Sequence, residues 1–312
     1  MPHDRGKADI SFKGRAVLIT GAGGGLGKAY AKEFARRGAM VVVNDLGTDV
    51  GGGGSNSNPA QQTVDEIIAE GGTAIADFGN VANLDDVEAM VKKPISHWGR
   101  LDVMVSNAGI LHACELGNIA LAEINRMFDI QVKGPFLLAQ AAYAQMRKQQ
   151  TGGRIVLTGS PAALMGNETG PHYATAKAGM IGLAKTIAAA GRNHNIRANV
   201  VCPVANTRMM KAFEDDQNAP ATPVFGGTAE QVVPLVTLLS HDECPANGSI
   251  FFAAGGWFSQ MQLTLGEGII IPGAVAAEAL RDNWSAVIAP GKCDRDILGM
   301  DGFAVALGER LS

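Results

Sequence analysis

Apolar residues fall into short uninterrupted runs along this chain, at 16–20, 40–43, 73–78, 101–106, 154–158, 197–202 and 249–253. Runs of that length without polar alternation are what strands covered on both faces look like. Between them lie helix-length segments at 27–37, 60–70, 84–97, 120–149, 172–192 and 229–240. Strand, helix, strand, repeated without a linker, predicts right-handed crossovers and an α/β fold. The expected architecture is a doubly wound, seven-stranded parallel sheet with helices on both faces, in a single domain. The longest helix contains Gly134-Pro135, where a kink or a break is expected. Two segments escape the pattern: 48–59, rich in Gly, Ser and Asn, and 205–227. Such stretches are ordinarily surface loops, but in a doubly wound sheet they emerge at strand carboxyl ends, where ligands sit.

Composition narrows the partners. The chain has 312 residues, 46% of them hydrophobic, enough for one large core. A formal net charge of −4 gives no basic footprint for nucleic acid or an anionic membrane, and both are set aside as partners. Cys114, Cys202, Cys244 and Cys293 are far apart and form no C-x-x-C pair, so reduced, buried thiols are expected rather than a metal site or a disulfide framework. The first ten residues hold no apolar signal core, and no stretch approaches the roughly 20 apolar residues of a membrane span. A soluble, cytoplasmic protein acting on a small molecule is the expectation.

The first apolar run leads into Thr20-Gly21-Ala22-Gly23-Gly24-Gly25-Leu26-Gly27 and then a helix. Glycines there permit a tight turn and let a pyrophosphate approach N–H groups at the helix N-terminus. The second run ends Val43-Asn44-Asp45, which puts a carboxylate where the adenosine ribose hydroxyls of a dinucleotide would need an acceptor. Taken alone, Asp45 before Leu46-Gly47 reads equally well as a turn former. A carboxylate at that point repels the 2′-phosphate of NADP, and the glycine loop has no Lys or Arg to offset it. The expected cofactor is NAD.

With these elements in order, the chain resembles the short-chain dehydrogenase/reductase family over nearly its whole length. The family's TGxxxGxG loop is matched by Gly21, Gly25 and Gly27, and its NNAG stretch by Ser106-Asn107-Ala108-Gly109. Its serine is matched by Ser160, and its Y-x-x-x-K signature by Tyr173 and Lys177. Pro203-Val204 stands where the family has a Pro-Gly turn, with Thr207 at the position of a nicotinamide-contacting threonine. The resemblance implies further cofactor contacts at Leu26, Asn80 and Val81. Where the family has a fourth active-site residue, an asparagine, this chain offers Gln131, whose amide carbonyl can still hold a proton-relay water. A narrower resemblance, carried by VVVNDLG, the Gly-rich insertion after it, GRNHNIRANVVCPVANTRM and the stretch 234–257, is to the dehydrogenase part of the peroxisomal multifunctional enzymes of β-oxidation. It implies 3-hydroxyacyl-CoA or hydroxysteroid substrates.

The expected chemistry is hydride transfer between NAD and a secondary alcohol or ketone. A free tyrosine, with pKa near 10, is a poor base at neutral pH. Lys177 lies one helical turn beyond Tyr173 on the same face and, with an oxidised nicotinamide, supplies the positive charge that lowers it. Three pKa units would take about 4 kcal/mol. Ser160 is expected to hydrogen-bond the substrate oxygen, although before Pro161 it also reads as a turn cap. Tyr143 precedes Arg147 by the same four-residue spacing inside the long helix and is expected to be a packing residue. His172 adjoins Tyr173 but points another way along the helix. His112, Met209, Met210 and Trp257 are expected to be pocket or lid residues. A carbonyl reductase and a non-catalytic dinucleotide sensor are the alternatives, the second disfavoured by the intact Tyr173, Lys177 and Ser160.

The helix from His172 keeps small residues on more than one face: Ala174, Ala176, Ala178, Gly179, Gly182, Ala184. Close helix approach and the resemblance both point to a two-fold contact, giving a homodimer or homotetramer. The segment 258–312 extends beyond the last expected strand, and Ile269, Trp284, Val287, Ile288, Phe303 and Val305 are too apolar for a disordered end. It is expected to be an extension packed over the substrate opening of its own or a neighbouring subunit.

Overall fold

The computed structural model describes residues 9–207, 227–263, 266–271, 276–290 and 308. The apolar runs form the strands β1 (Ala16–Thr20), β2 (Met40–Asn44), β3 (Thr73–Asp77), β4 (Val103–Ser106), β5 (Gly153–Thr158), β6 (Ile196–Val204) and β7 (Ile250–Ala254). They lie side by side in the order β3-β2-β1-β4-β5-β6-β7, all parallel. Every residue of β1, β4 and β5 is buried, which is why their sequences show no alternation.

An eighth strand, β8 (Trp257–Met261), joins the edge beside β7, so the sheet has eight strands where seven were expected. The connection is Gly255-Gly256, with φ of 53 and 84. Positive φ at both positions is the geometry of a two-residue hairpin turn. β8 is largely exposed, so it lacks the continuous apolar run that marks its neighbours.

The crossovers are α1 (Gly25–Arg36), α2 (Asn58–Ala69), α3 (Leu84–Trp98), α4 (Leu121–Phe128), α5 (Gly134–Gln149), α6 (Ala162–Met165), α7 (Pro171–Gly191) and α8 (Val233–Leu239). The segment 120–149 is divided as expected, and the break takes a definite form. A π turn, Asp129–Lys133, links α4 to α5, and Pro135 sits in the first turn of α5. Proline has no N–H to give, so a helix passing through it must loosen or restart.

β1 and β4 are neighbours although three crossovers separate β1 from β4 in sequence, so the strand order reverses between them. In an open α/β sheet this switch point leaves a crevice at the carboxyl edge. The described residues form two compact units, Met1–Ser259 and Gln260–Ser312. The second contains α9 (Ala277–Asp282) and α10 (Trp284–Val287), with the Glu267 N–H donating to the Ala289 carbonyl at 3.3 Å. Trp284 and Ile288 are more than half exposed, while Phe303 and Val305 lie outside the described residues. Cys202 and Cys244 are buried thiols as expected, Cys114 is partly exposed, and Cys293 lies outside the described residues. Among the described residues no helix is long and apolar enough to cross a membrane.

Candidate active site

A cleft of about 1290 Å³ opens along the carboxyl edge, walled by the segments that follow β1 to β6 and by residues of β7 and β8. A single small ligand usually occupies about 300–1,000 Å³, so this cleft has room for a dinucleotide and a second molecule.

The glycine loop shapes one end of it. Gly21 has φ 63, and a Cβ there would stand 2.8 Å from Ala108 Cα; at Gly27 a Cβ would stand 2.2 Å from the Gly21 carbonyl oxygen. No side chain fits at either point, and so the β1 loop, the β4 loop and α1 come together. Asn107 fixes that junction. Its side-chain amide donates to the Thr20 and Gly21 carbonyls, each at 3.1 Å, while the N–H groups of Asn107 and Ala108 both reach Thr20 Oγ1. α1 starts at Gly25 with no side-chain cap and no acidic residue in its first turn. Its first N–H groups therefore have no intrahelical partner, and Gly24, Gly25 and Leu26 line the cleft. This donor set, at the positive end of a helix, suits a pyrophosphate.

Asp45 leaves β2 beside this loop. One carboxylate oxygen accepts the Gly23 N–H at 2.8 Å, and the other accepts the Gly47 N–H at 2.7 Å. The turn role and a place in the cleft are thus compatible: two backbone donors hold the carboxylate, and each oxygen keeps further acceptor capacity. Asn80 and Val81 line the same cleft. The Asn80 side chain accepts the Ala82 N–H at 2.9 Å, and Val81 packs on Gly134 at the start of α5.

Toward the other end, Ser160, Tyr173 and Lys177 converge. Ser160 accepts the Ala162 N–H at 3.2 Å, the turn cap read from the sequence, and its hydroxyl also bonds the Tyr173 hydroxyl. Lys177 Nζ donates to the Thr158 carbonyl at 3.0 Å and lies 5.7 Å from the Tyr173 ring centre. Burial pushes the Tyr173 hydroxyl above its usual range, against the lowering effect of the Ser160 hydrogen bond. It pushes Lys177 down to about 8. In the protein alone burial therefore outweighs the Ser160 hydrogen bond, the reverse of the lowered tyrosine expected beside an oxidised nicotinamide. Cys202 stands next to them, its thiol pushed up to about 11 by burial, with Lys177 pulling the other way.

Gln131 belongs to the π turn and is buried. Its Nε2 donates to the Ile110 carbonyl at 2.7 Å and to Met127 Sδ at 2.8 Å, whereas its Oε1 meets no donor. That oxygen and Lys177 Nζ lie 2.9 and 3.7 Å from the position a Cβ of Gly109 would take. The amide is held by its nitrogen, with its carbonyl on the Lys177 side of the cleft.

Gly109, Pro203, Val204 and Thr207 also line the cleft, as does Trp257, whose ring centre is 5.7 Å from that of Phe252. Other expectations separate from it. His112 is not among the lining residues: its ring faces the buried His172 ring at 6.0 Å, and its Nε2 is 3.2 Å from Glu123 Oε1. His172 is likewise absent from the walls. Tyr143 donates to the Ala190 carbonyl at 3.0 Å and ties α5 to α7. Met209 and Met210 lie outside the described residues.

The structure adds wall residues that the sequence reading passed over. Asp49, Val50 and Asn56 of the Gly-rich stretch reach the cleft, held by a hydrogen bond from Leu111 N–H to the Val50 carbonyl at 3.2 Å. Gly52 packs so closely that a Cβ there would stand 2.8 Å from Ile110 Cγ2. Glu168 and Phe252 are also in the walls. The stretch 48–59 stood at a strand carboxyl end in the sequence analysis without its wall residues being named, and Glu168 and Phe252 depend on how distant segments fold back.

Known proteins agree with this geometry. A model of the short chain dehydrogenases matches residues 15–218. The peroxisomal hydratase-dehydrogenase-epimerase of Saccharomyces cerevisiae is 39% identical over 89% of this chain and 30% of its own length. The peroxisomal multifunctional enzyme type 2 of Mus musculus is 38% identical over 89% of this chain and 37% of its own. The chain thus spans about a third of the length of these two relatives. A crystal structure of a short chain dehydrogenase from Mycobacterium avium, 31% identical, superposes with a TM-score of 0.76 over 93% of this chain and all of that one. Sequence, fold and cleft together identify an oxidoreductase acting on CH–OH groups, and the chain belongs to the short chain dehydrogenase family.

Proposed function

We propose that this chain uses NAD to interconvert a secondary alcohol and a ketone, on an apolar substrate of the 3-hydroxyacyl-CoA or hydroxysteroid kind. The observation that carries the reading is the meeting of Ser160, Tyr173 and Lys177 in a cleft that also receives the uncapped N-terminus of α1. A carbonyl reductase with NADPH fits less well, because the Asp45 carboxylate would repel a 2′-phosphate on a ribose bound beside the glycine loop. A dinucleotide sensor has no use for the three reacting side chains.

Bound NAD supplies the hydride acceptor for oxidation and, reduced, the donor for reduction. Gly21, Gly25, Leu26 and Gly27 hold its pyrophosphate through backbone groups, and Asp45 accepts from the ribose hydroxyls. Asn80 and Val81 would border the adenine, while Asn107, Ala108, Gly109, Pro203 and Thr207 would border the nicotinamide riboside. Tyr173 takes the alcohol proton in oxidation and returns it in reduction. Ser160 hydrogen-bonds the substrate oxygen as its charge changes. Lys177 contributes its positive charge to the tyrosinate, and the free Oε1 of Gln131 is the acceptor that would hold a water relaying protons from the lysine side. The neutral Cys202 thiol adds no negative charge to compete with the tyrosinate.

The same reading extends to assembly. Gly179 and Gly182 are exposed on α7, with no atom within 4 Å of a Cβ placed there, and Phe136 of α5 is half exposed. They suit a two-fold contact between α5 and α7 of two copies, giving a homodimer or homotetramer, with the extension 258–312 closing a substrate opening. Light scattering on the full chain and on one ending near residue 266 checks both parts. We place its work in the cytoplasm, although the relatives above are named as peroxisomal.

Tyr173→Phe is expected to leave NAD affinity nearly unchanged and to lower turnover by about a hundredfold or more; near-normal turnover defeats the mechanism. Asp45→Ala is expected to narrow the preference for NAD over NADP in binding titrations, and an unchanged ratio reduces Asp45 to a turn residue. Lys177 gives a stability test. Its pKa in the fold, about 8, lies below its ordinary 10.5, so the unfolded chain binds the proton more tightly. The penalty is full below about pH 8 and fades as pH approaches 10.5. Lys177→Met should therefore abolish turnover yet stabilise the cofactor-free protein at pH 7 by up to about 3 kcal/mol. Denaturant melts should show that gain shrinking at alkaline pH.

A further inference from the structure

The Gly-rich segment after β2 is placed to act on a bound dinucleotide, an inference that rests on the dehydrogenase reading above. In the sheet, β1 lies between β2 and β4. A segment that leaves β2 and docks on the loop after β4 must therefore pass across the carboxyl end of β1, where the glycine loop turns into α1. Residues 46–56 do this. The Val50 carbonyl accepts the Leu111 N–H at 3.2 Å, and Gly52 packs on Ile110 and on the Arg126 guanidinium of α4. Asp49, Val50 and Asn56 line the same cleft as Gly21 and Gly25. The uncapped start of α1 and a strap running across it thus bound one space.

The strap is built as a unit with a narrow neck. At the neck the Asn56 N–H donates to the Leu46 carbonyl at 2.9 Å, and a Cβ on Gly47, with φ 71, would run into the Asn56 carbonyl. At the tip the Asp49 N–H donates to the Gly53 carbonyl and the Gly52 N–H to the Asp49 carbonyl, each at 3.0 Å, while Asp49 Oδ1 accepts the Gly53 N–H at 2.7 Å. Close ends and internal hydrogen bonds are the make-up of an Ω-loop, which keeps its shape when it lifts. Its hold on the β4 loop, the Val50–Leu111 hydrogen bond and the close fit at Gly52, is small beside the strand ladder, so it opens at far lower cost than the sheet. Asp45 stands at its root, accepting the N–H groups of both Gly23 in the glycine loop and Gly47 in the neck.

We infer that residues 46–56 form a strap that closes over the pyrophosphate and adjoining ribose of the dinucleotide and sets the rate at which it leaves. Release requires the Val50–Leu111 hydrogen bond to open, because the strap spans the glycine loop from the β2 side to the β4 side. Gly52 is its fastening. With φ 83, a Cβ there would stand 2.8 Å from Ile110 Cγ2 and 3.0 Å from Arg126 Nη2. Gly54 has a similar backbone, φ 72, but a Cβ there would meet nothing within 4 Å. Alanine at 54 therefore carries the strain of a left-handed residue alone, and alanine at 52 adds the loss of docking.

The test loads the full chain with NADH, chases with excess NAD and follows dissociation by stopped-flow fluorescence. Gly52→Ala should release NADH about tenfold faster than the parent chain, and Gly54→Ala within about twofold of it. Arg126→Ala leaves the strap backbone untouched and removes the group that Gly52 packs on; it should speed release about threefold. Hydrogen exchange read by mass spectrometry should show the Leu111 amide more protected in the NADH complex of the parent chain than in that of Gly52→Ala. Release from Gly52→Ala no faster than from Gly54→Ala overturns the strap and leaves the dehydrogenase reading standing. If Gly52→Ala does not fold, release from Arg126→Ala at the parent rate overturns it in the same way. A parent chain that folds but binds no NADH brings down the dehydrogenase reading and the strap with it.

Discussion

Peptide groups of β1, β4 and β5 are buried on both faces of the sheet, and each must find its hydrogen-bond partner in a neighbouring strand. That requirement fixes the parallel register from Val17 against Val103 to Val156 against Asn199, and with it the level at which every strand ends. Gly21, Asn107 and Ser160 come from three separate strands, yet they enter one cleft because the ladder stops them at a common edge. Within the sheet a polar side chain without a partner costs about 1–3 kcal/mol.

The site combines rigid and costly parts. Asn107 and Asp45 are held by backbone groups and lose little freedom when a ligand arrives, which is the preorganisation that makes positioning effective. Lys177 and Gln131 are different: one is a cation driven toward neutrality by burial, the other has a buried acceptor with no donor. Both groups are unfavourable to the resting fold, and under the proposed mechanism they act when a charge develops on Tyr173. Well-packed surroundings, with Met127 and Ala176 almost wholly buried beside them, keep them in place.

Most of the fold was legible because a covered parallel sheet writes itself as continuous apolar runs and its glycine loop as a local motif. Seven strands and the place of Asp45 could be read that way, whereas Asn107, Ser160, Tyr173 and Lys177 were read from the resemblance of their motifs to the short chain dehydrogenase family. β8 could not, since an edge strand with Trp257 and Phe258 exposed lacks the apolar run, although Gly255-Gly256 was a turn signal in plain view. The Asp49–Val50 wall was hidden for another reason: a glycine-rich stretch has no side-chain periodicity, and its placement depends on one distant hydrogen bond to Leu111. His112 was misplaced because the sequence gives no sign that Glu123 and His172 are its neighbours.

The π turn between α4 and α5 carries a consequence for how this chain can diverge. A π turn closes its hydrogen bond over one more residue than an α turn, so the segment Asp129–Lys133 holds a residue more than a continuous α-helix would need. Loss of a single codon there need not frustrate the helix; it would regularise it. The change would swing the side chain at position 131 around the helix axis and take its carbonyl away from Gly109 and Lys177, while α4 and α5 could still pack. Helical register at this point is thus a separate inheritance from residue identity: an amide carbonyl faces the lysine side of the cleft only through the extra residue that distorts the helix carrying it.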